Sequence, residues 1–372
     1  MIRKHCFLCK SSNLQVVSKI ENFPIFMGAT QQKIEEDVYE DLIFQKCCDC
    51  GSIQNKKLIP LEVLYKDAHA NAVGATWNLH HNQFSEFASK FICGNIVEIG
   101  GSNLIVANNL SAKEYIESIT VYDNNIHYEK LKSEKINVIN TFFKASDMPD
   151  NTNCVVHTHL IEHLYNPVEE IKEIGDALKE GDFMIFSAPR IDSMLEAFYT
   201  NAMNFEHTYL LCDKKLKHIV SYAGFEIIEK FNFSEYCTFY ACKKVKNTAR
   251  HEIEKYEDEK LITNFISYHE KEVNKIRSKI DLKKENTFIF GAHIFTQFLL
   301  KFGLDENLFS CVLDNDKKKI GKRLYGTNLE INSPKVLKDH DSPLVVLKAA
   351  QYTDEIKHDI INNINSNTRF IL

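Results

Sequence analysis

Short apolar runs alternate with amphipathic stretches along most of this chain. Residues 96–99, 119–122, 137–140, 154–157, 183–187 and 225–228 are compact runs with several β-branched or aromatic side chains, and they predict strands. Residues 129–135, 167–178 and 214–223 predict helices between them. Such alternation implies βαβ units and a mostly parallel sheet. Residues 247–284 are charged, lack Pro and Gly, and carry Ile253, Leu261, Phe265, Ile266, Val273 and Ile276 at helical spacing. One long connecting helix or a helical hairpin is expected there. A second βαβ pattern follows: strands at 287–290, 309–314 and 344–348, a helix from Gly291 through Phe302, and a last helix at 355–363.

The first 65 residues read differently, holding five of the eleven cysteines. Cys6-x-x-Cys9 and Cys47-x-x-Cys50 form two knuckles, the arrangement that completes a tetrahedral four-sulfur site for Zn²⁺. Gly51 suits the tight turn after the second pair, and Cys48 points away from the metal. Four protein ligands leave no open position, so this zinc is expected to hold the fold. Free thiols or a redox pair are the bland alternative.

Composition narrows the class. The length of 372 residues implies two or three domains at about 150 residues each. A net charge of −6 argues against nucleic-acid binding. No apolar run approaches the ~18 residues of a membrane helix, and no apolar leader follows the charged start. Cysteines scattered through apolar stretches make a reducing cytoplasm the expected compartment.

Candidate ligand chemistry begins at Glu98, Gly100, Gly101, Ser102 and Asn103, where a strand ends in an acid and two glycines. Glycines there let a backbone approach a ligand at the carboxyl edge of the sheet. About twenty residues on, the strand at 119–122 ends in Asp123, followed by Asn124. A carboxylate there can accept from both ribose hydroxyls. The third glycine of a dinucleotide fingerprint is replaced by Ile105 and Val106. A pyrophosphate is then poorly cradled, and S-adenosylmethionine (SAM) is favoured over NAD. Glu98 is positioned for the methionine amino end, and Asp147 with Met148 for the adenine. A plain strand–turn–helix is the alternative for the glycine pair.

Leu160-Ile-Glu162-His163, then Asn166-Pro167, a helix, Gly181-Asp182 and a strand to Pro189, resemble the class I SAM-dependent methyltransferases. With the preceding knuckles, Asn204-Phe-Glu206-His207-Thr-Tyr209, Gly291-Ala-His-Ile and Asp314 through Gly321, nearly the whole chain resembles the three-part sugar C-methyltransferases. That resemblance implies a zinc-binding domain over 1–68, a SAM-dependent core over 69–247, a connecting helix over 248–284 and a Rossmann-like domain over 285–372. It implies an acceptor that is a nucleotide-linked or activated sugar, in polysaccharide or glycan biosynthesis. It also implies a histidine base, His207 beside Glu206, that removes a proton next to a ketone. Trp77 and His80 match the family's Trp-x-x-His before the first core helix, and His159 joins them as a cofactor-site candidate. His69 stands where the family has an active-site tyrosine, and Asn204 replaces a second tyrosine. With histidines at 69 and 207, O- or N-methylation of a sugar stands beside C-methylation. An NAD-dependent sugar oxidoreductase or epimerase and a non-catalytic relative are the competing readings. A monomer or homodimer is expected.

His157, His159 and His163 alternate on and after one strand. They read more readily as packed strand residues than as metal ligands. Cys93, Cys154, Cys212, Cys237, Cys242 and Cys311 read as small hydrophobes.

Overall fold

The computed structural model describes residues 1–65, 75–248, 251–255, 259–280, 286–349 and 352–372. Near the amino terminus, β1 (Leu14–Pro24), β3 (Tyr39–Cys47) and β4 (Ile53–Asn55) form an antiparallel sheet in the order β1-β3-β4. The short β2 (Ala29–Thr30) leaves it for another partner, and α1 (Leu61–Leu64) follows.

The central sheet explains the site. Its elements in chain order are α2 (Ala75–Ala88), β5 (Gly94–Ile99), α3 (Ile105–Ser111), β6 (Ile116–Tyr122), β7 (Ile136–Ile139), β8 (Cys154–Thr158), α4 (Pro167–Ala177), β9 (Phe183–Pro189), α5 (Ile191–Glu196), α6 (Asp213–Tyr222), β10 (Phe225–Ser234) and β11 (Cys237–Lys244). The strand order is β10-β11-β9-β8-β5-β6-β7. Six strands run in one direction, and β11 alone is antiparallel to both its neighbours. Strand alternation sorts the core. Val97, Ile99, Val155 and Phe186 face the layer of α4 and α6. Ile96, Val121, Val156 and Ile185 face α2 and α3. Order reverses between β5 and β8, so the loops after β5, β6 and β8 frame one crevice at the carboxyl edge.

After α7 (Glu259–Lys279), β12 (Thr287–Phe290), α8 (Ile294–Lys301), β13 (Val312–Leu313), β14 (Arg323–Leu324), β15 (Ile331–Asn332), β16 (Leu344–Leu347), α9 (Thr353–Asp359) and β17 (Arg369–Ile371) build a second α/β unit. Its sheet is wholly parallel, ordered β15-β13-β12-β16-β17. β14 instead pairs with β2, and Arg323 grips the fully buried Asp37 carboxylate through both guanidinium nitrogens. The first and last units are therefore stitched together directly.

One expected element is absent. Residues 129–135 form no α-helix, only a 3-10 turn at Tyr128–Lys130 followed by extended chain. Leu131 is the sole apolar residue there and is exposed, so a helix would have no face to bury. Asn108 holds the segment instead, donating to the Lys130 carbonyl at 2.9 Å and accepting from the Lys132 amide at 3.1 Å.

Candidate active site and cysteine cluster

The two cysteine knuckles close alike. The Lys10 amide donates to the Cys6 carbonyl at 3.1 Å, and the Gly51 amide to the Cys47 carbonyl at 2.8 Å. Lys10 and Gly51 both take positive φ, 63° and 79°. The chain turns back so that the four sulfurs of Cys6, Cys9, Cys47 and Cys50 lie within 4.8 Å of one another. Cys6 and Cys50 are 3.6 Å apart and Cys9 and Cys47 3.5 Å, against an S···S edge of roughly 3.8 Å in a tetrahedral zinc site. Cys48 lies outside the cluster, its sulfur 4.0 Å from Gln15 Oε1.

This sheet reaches the candidate active site. Arg3 Nη1 donates to the Thr208 carbonyl at 2.6 Å, the Asn55 amide to the same oxygen at 2.9 Å, and Asn55 Nδ2 to the Asn204 carbonyl at 3.0 Å. Phe7 stacks on Tyr209 with ring centroids 4.2 Å apart. The segment carrying Glu206 and His207 is thus held by the cysteine-bearing unit. Asn204 shapes it from within, its Oδ1 accepting from the Glu206 and His207 amides at 2.8 and 2.7 Å.

At the carboxyl edge of the central sheet lies a cavity of about 660 Å³. Gly100, Asn103, Asp123, Asn124, Trp77 and His159 line it, together with His163 and Glu206. Gly100 has φ +80°, and a Cβ on it would meet nothing within 4 Å, because that side faces the cavity. Asp123 ends β6 and accepts from the Asn125 amide at 2.7 Å; burial raises its pKa, and the Asn125 and Ser102 amides oppose the rise. Asn103 Oδ1 accepts from the Ile105 amide at 3.0 Å, holding the loop into α3.

Other candidates stand behind the wall. Glu98 shares the face of Ile96, so it is buried under α3 with its carboxylate against Gly101. A Cβ on Gly101 would lie 2.7 Å from Glu98 Cδ and 2.8 Å from Val121 Cγ1. Gly101 therefore makes room for packing, whereas Gly100 leaves open space beside the cavity. Burial, with Asp123 beside it, raises the Glu98 pKa to about 8, and its Oε2 has no partner. Asp147 is exposed and Met148 buried in the core; Phe142, Phe143, Lys144 and Ala145 form the wall on that side. His80 is 2% exposed, packed behind Trp77 and His159. His69 lies outside the described residues.

The imidazoles cluster at one end of the cavity. His207 stands beside His163, ring centroids 5.4 Å apart, and contributes nothing to the wall although part of its surface is accessible. Its Nδ1 is 3.3 Å from the Ala202 carbonyl. Burial first, then the field of His163, lowers its pKa to about 4 against the opposing pull of Glu162 and Glu206. It is neutral at pH 7. Glu162 lies beneath, fully buried, its Oε1 3.1 Å from His159 Nδ1 and 3.8 Å from His163 Nε2. Burial raises its pKa, but His159 and His163 prevail and keep it a carboxylate. Sequence reasoning passed over His163 and Glu162 as site residues; Leu160-Ile-Glu-His at the end of a central strand was the available signal.

A protein-family model described as a methyltransferase domain matches residues 75–230, and one described as a C-methyltransferase C-terminal domain matches residues 240–372. No curated protein matches the chain in sequence. Among solved structures, the N-methyltransferase NodS from Bradyrhizobium japonicum is 13% identical, over 46% of this chain and 97% of that one, with a TM-score of 0.37. The S-adenosylmethionine-dependent methyltransferase SibL is 14% identical, over 46% of this chain and 56% of that one, with a TM-score of 0.38. No helix of the described residues is long and apolar enough to cross a membrane. With a methyltransferase-domain model matching residues 75–230 and a C-methyltransferase C-terminal model matching residues 240–372, the chain is a SAM-dependent methyltransferase.

Proposed function

We propose that this methyltransferase alkylates a carbon next to the ketone of a nucleotide-linked or otherwise activated sugar, in glycan biosynthesis. The observation that carries the reading is His163 with Glu206 in the wall at one end of the cavity, and His207 packed behind, its ring centroid 5.4 Å from that of His163. The matched C-methyltransferase domain over residues 240–372 supports it. Zinc in the four-sulfur cluster, and the division into units at 1–68, 69–247, 248–284 and 285–372, belong to the same proposal.

The residues present suit SAM. Gly100 offers a face that no side chain fills, Asp123 stands where ribose hydroxyls would be met, and Asn124, Trp77 and His159 complete the wall. SAM supplies an electrophilic methyl on a sulfonium, which leaves as a neutral thioether. The chain's task is to exclude water, align the acceptor and move one proton. His163, in the wall with His207 packed behind it, takes the proton from the acceptor carbon, and the electron pair left behind forms the new carbon–carbon bond as the methyl–sulfur bond breaks. Glu162 holds the field that receives the proton.

The test is solvent exchange. The purified chain is incubated in deuterated buffer with a panel of nucleotide-linked ketosugars, with and without SAM, and products are read by NMR. Deuterium next to the ketone, a carbon-bound methyl, and loss of both in His163→Ala and His207→Ala are expected. A methyl on oxygen or nitrogen would overturn the carbon assignment.

A further inference from the structure

We infer that His80, His159 and Cys237 form a second metal site, distinct from the four-sulfur cluster, taking a borderline-soft divalent ion such as Zn²⁺. The three residues come from three elements: the middle of α2, the turn after β8 and the first residue of β11. Their ligand atoms all lie within 4.8 Å of one another. Cys237 Sγ is 3.5 Å from His159 Nε2. A zinc ion with ordinary bond lengths spaces tetrahedral nitrogen and sulfur ligands at roughly 3.6 Å.

Two further observations point to a ligand. His80 is 2% exposed, and neither of its ring nitrogens has a hydrogen-bond partner. A buried imidazole without partners is costly, and a metal bond satisfies one of its two nitrogens. His159 has its other nitrogen engaged: Nδ1 is 3.1 Å from Glu162 Oε1. A carboxylate behind a ligating histidine fixes the tautomer and aims Nε2 at the ion. Aromatic rings seal the site, with Trp77, Phe233 and Phe239 packed edge-on around the two imidazoles. Soft thiolate with imidazole selects zinc-class ions over magnesium or calcium.

Three protein ligands leave one position for water. Because His159 and Trp77 also line the cavity, the ion would pin α2 to the cavity rim, and its chief role is structural.

The test is a metal count on the full chain, dialysed after Zn²⁺ loading. We expect about two zinc per chain, falling to about one in Cys237→Ser and in His80→Phe. A count of about one in the native chain that both variants leave unchanged overturns the inference, as does a count of about two that neither lowers. Titration with Co²⁺ covers a variant that fails to fold. The native chain should then show two spectral classes, one with the charge transfer of four thiolates and one with that of a single thiolate. A Cys6→Ser/Cys9→Ser chain should keep only the second. A single four-thiolate class in the native chain is the contrary result.

Discussion

Gly100 and Gly101 are neighbours in sequence, yet the structure gives them opposite reasons for being glycine. At Gly100 an alanine Cβ would point into the cavity and touch nothing, but the backbone has φ +80°. That conformation costs an alanine about 1–2 kcal/mol, and the methyl enters the space proposed for the cofactor. Gly101 is not in the left-handed region, but its Cβ would sit 2.7 Å from Glu98 Cδ, 2.8 Å from Glu98 Oε1 and 2.8 Å from Val121 Cγ1. Glu98 is buried, so relieving the overlap disturbs packed neighbours and costs about 1–3 kcal/mol. For a core of this size that is a drop in melting temperature of roughly 3–10 °C. Calorimetric titration with S-adenosylhomocysteine should separate the two. Gly100→Ala should lose tenfold or more in affinity, about 1.4 kcal/mol or above, and Gly101→Ala much less. Trimming Glu98 removes two of the three overlaps. In a Glu98→Ala background, Gly101→Ala should therefore cost markedly less than in the native chain. If its cost is the same in both backgrounds, Glu98 is not what Gly101 accommodates. If Gly100→Ala binds the cofactor normally, the open face is not where the ligand lies.

Asp123→Ala should weaken S-adenosylhomocysteine by about tenfold or more while the melting temperature of the free protein holds or rises, since a partly desolvated carboxylate is removed; titration and melting read the two effects separately. His207 and His269 are both held at about 4, chiefly by burial. His207 faces His163, Glu162 and Glu206; His269 faces the Phe198 carbonyl, Glu272 and Lys348. Unfolded, each titrates near the ordinary ~6.5, so between about 6.5 and 4 the unfolded chain binds protons the folded one does not. Stability should fall across that window on acidification, by on the order of a few kcal/mol, and be flat in these groups above it. Melts from pH 7.5 to 4.5 check this, and His207→Gln should flatten the curve.

The long periodic elements were legible because their faces are committed. All six core runs expected as strands occur as strands, and the central ones bury alternate residues against helices on both sides. The segment at 129–135 was misread because charge and helix propensity resemble a helix when no face has to be buried. The cysteine spacing announced its cluster, and the strand-end residues Gly100 and Asp123 announced the cavity. The division of labour inside Gly100-Gly101 was not legible, because it depends on which face of β5 carries Glu98. Nor was it legible that Asp147 and Met148 stand outside the wall, since loop geometry after β7 decides which side chains form it. His80 and Cys237 are separated by more than a hundred and fifty residues of sequence and meet only through the antiparallel return of β11.

The cysteine-bearing unit is bound to the chemistry more closely than the order of parts along the chain suggests. Arg3 and Asn55 donate to the backbone on both sides of Glu206 and His207, and the Ile53 carbonyl accepts from the Leu210 amide at 3.0 Å. The segment is thus an added, irregular partner to the edge of that sheet. None of these bonds touches the Gly100 and Asp123 side of the cavity. Losing them should therefore misplace the imidazole while leaving the cofactor seat intact. Asn55→Ala removes one buried side-chain bond, worth about 1 kcal/mol, and leaves the Asn204 carbonyl without its donor. A displacement on the order of 1 Å at a catalytic group costs up to about a hundredfold in rate. We therefore expect kcat to fall by about tenfold or more in Asn55→Ala, with S-adenosylhomocysteine affinity changed less than about threefold. Stripping the proposed zinc from the four-sulfur cluster should give the same signature, because it loosens the same strands. If affinity and kcat fall together, the unit supports the whole fold and holds no privileged grip on the base.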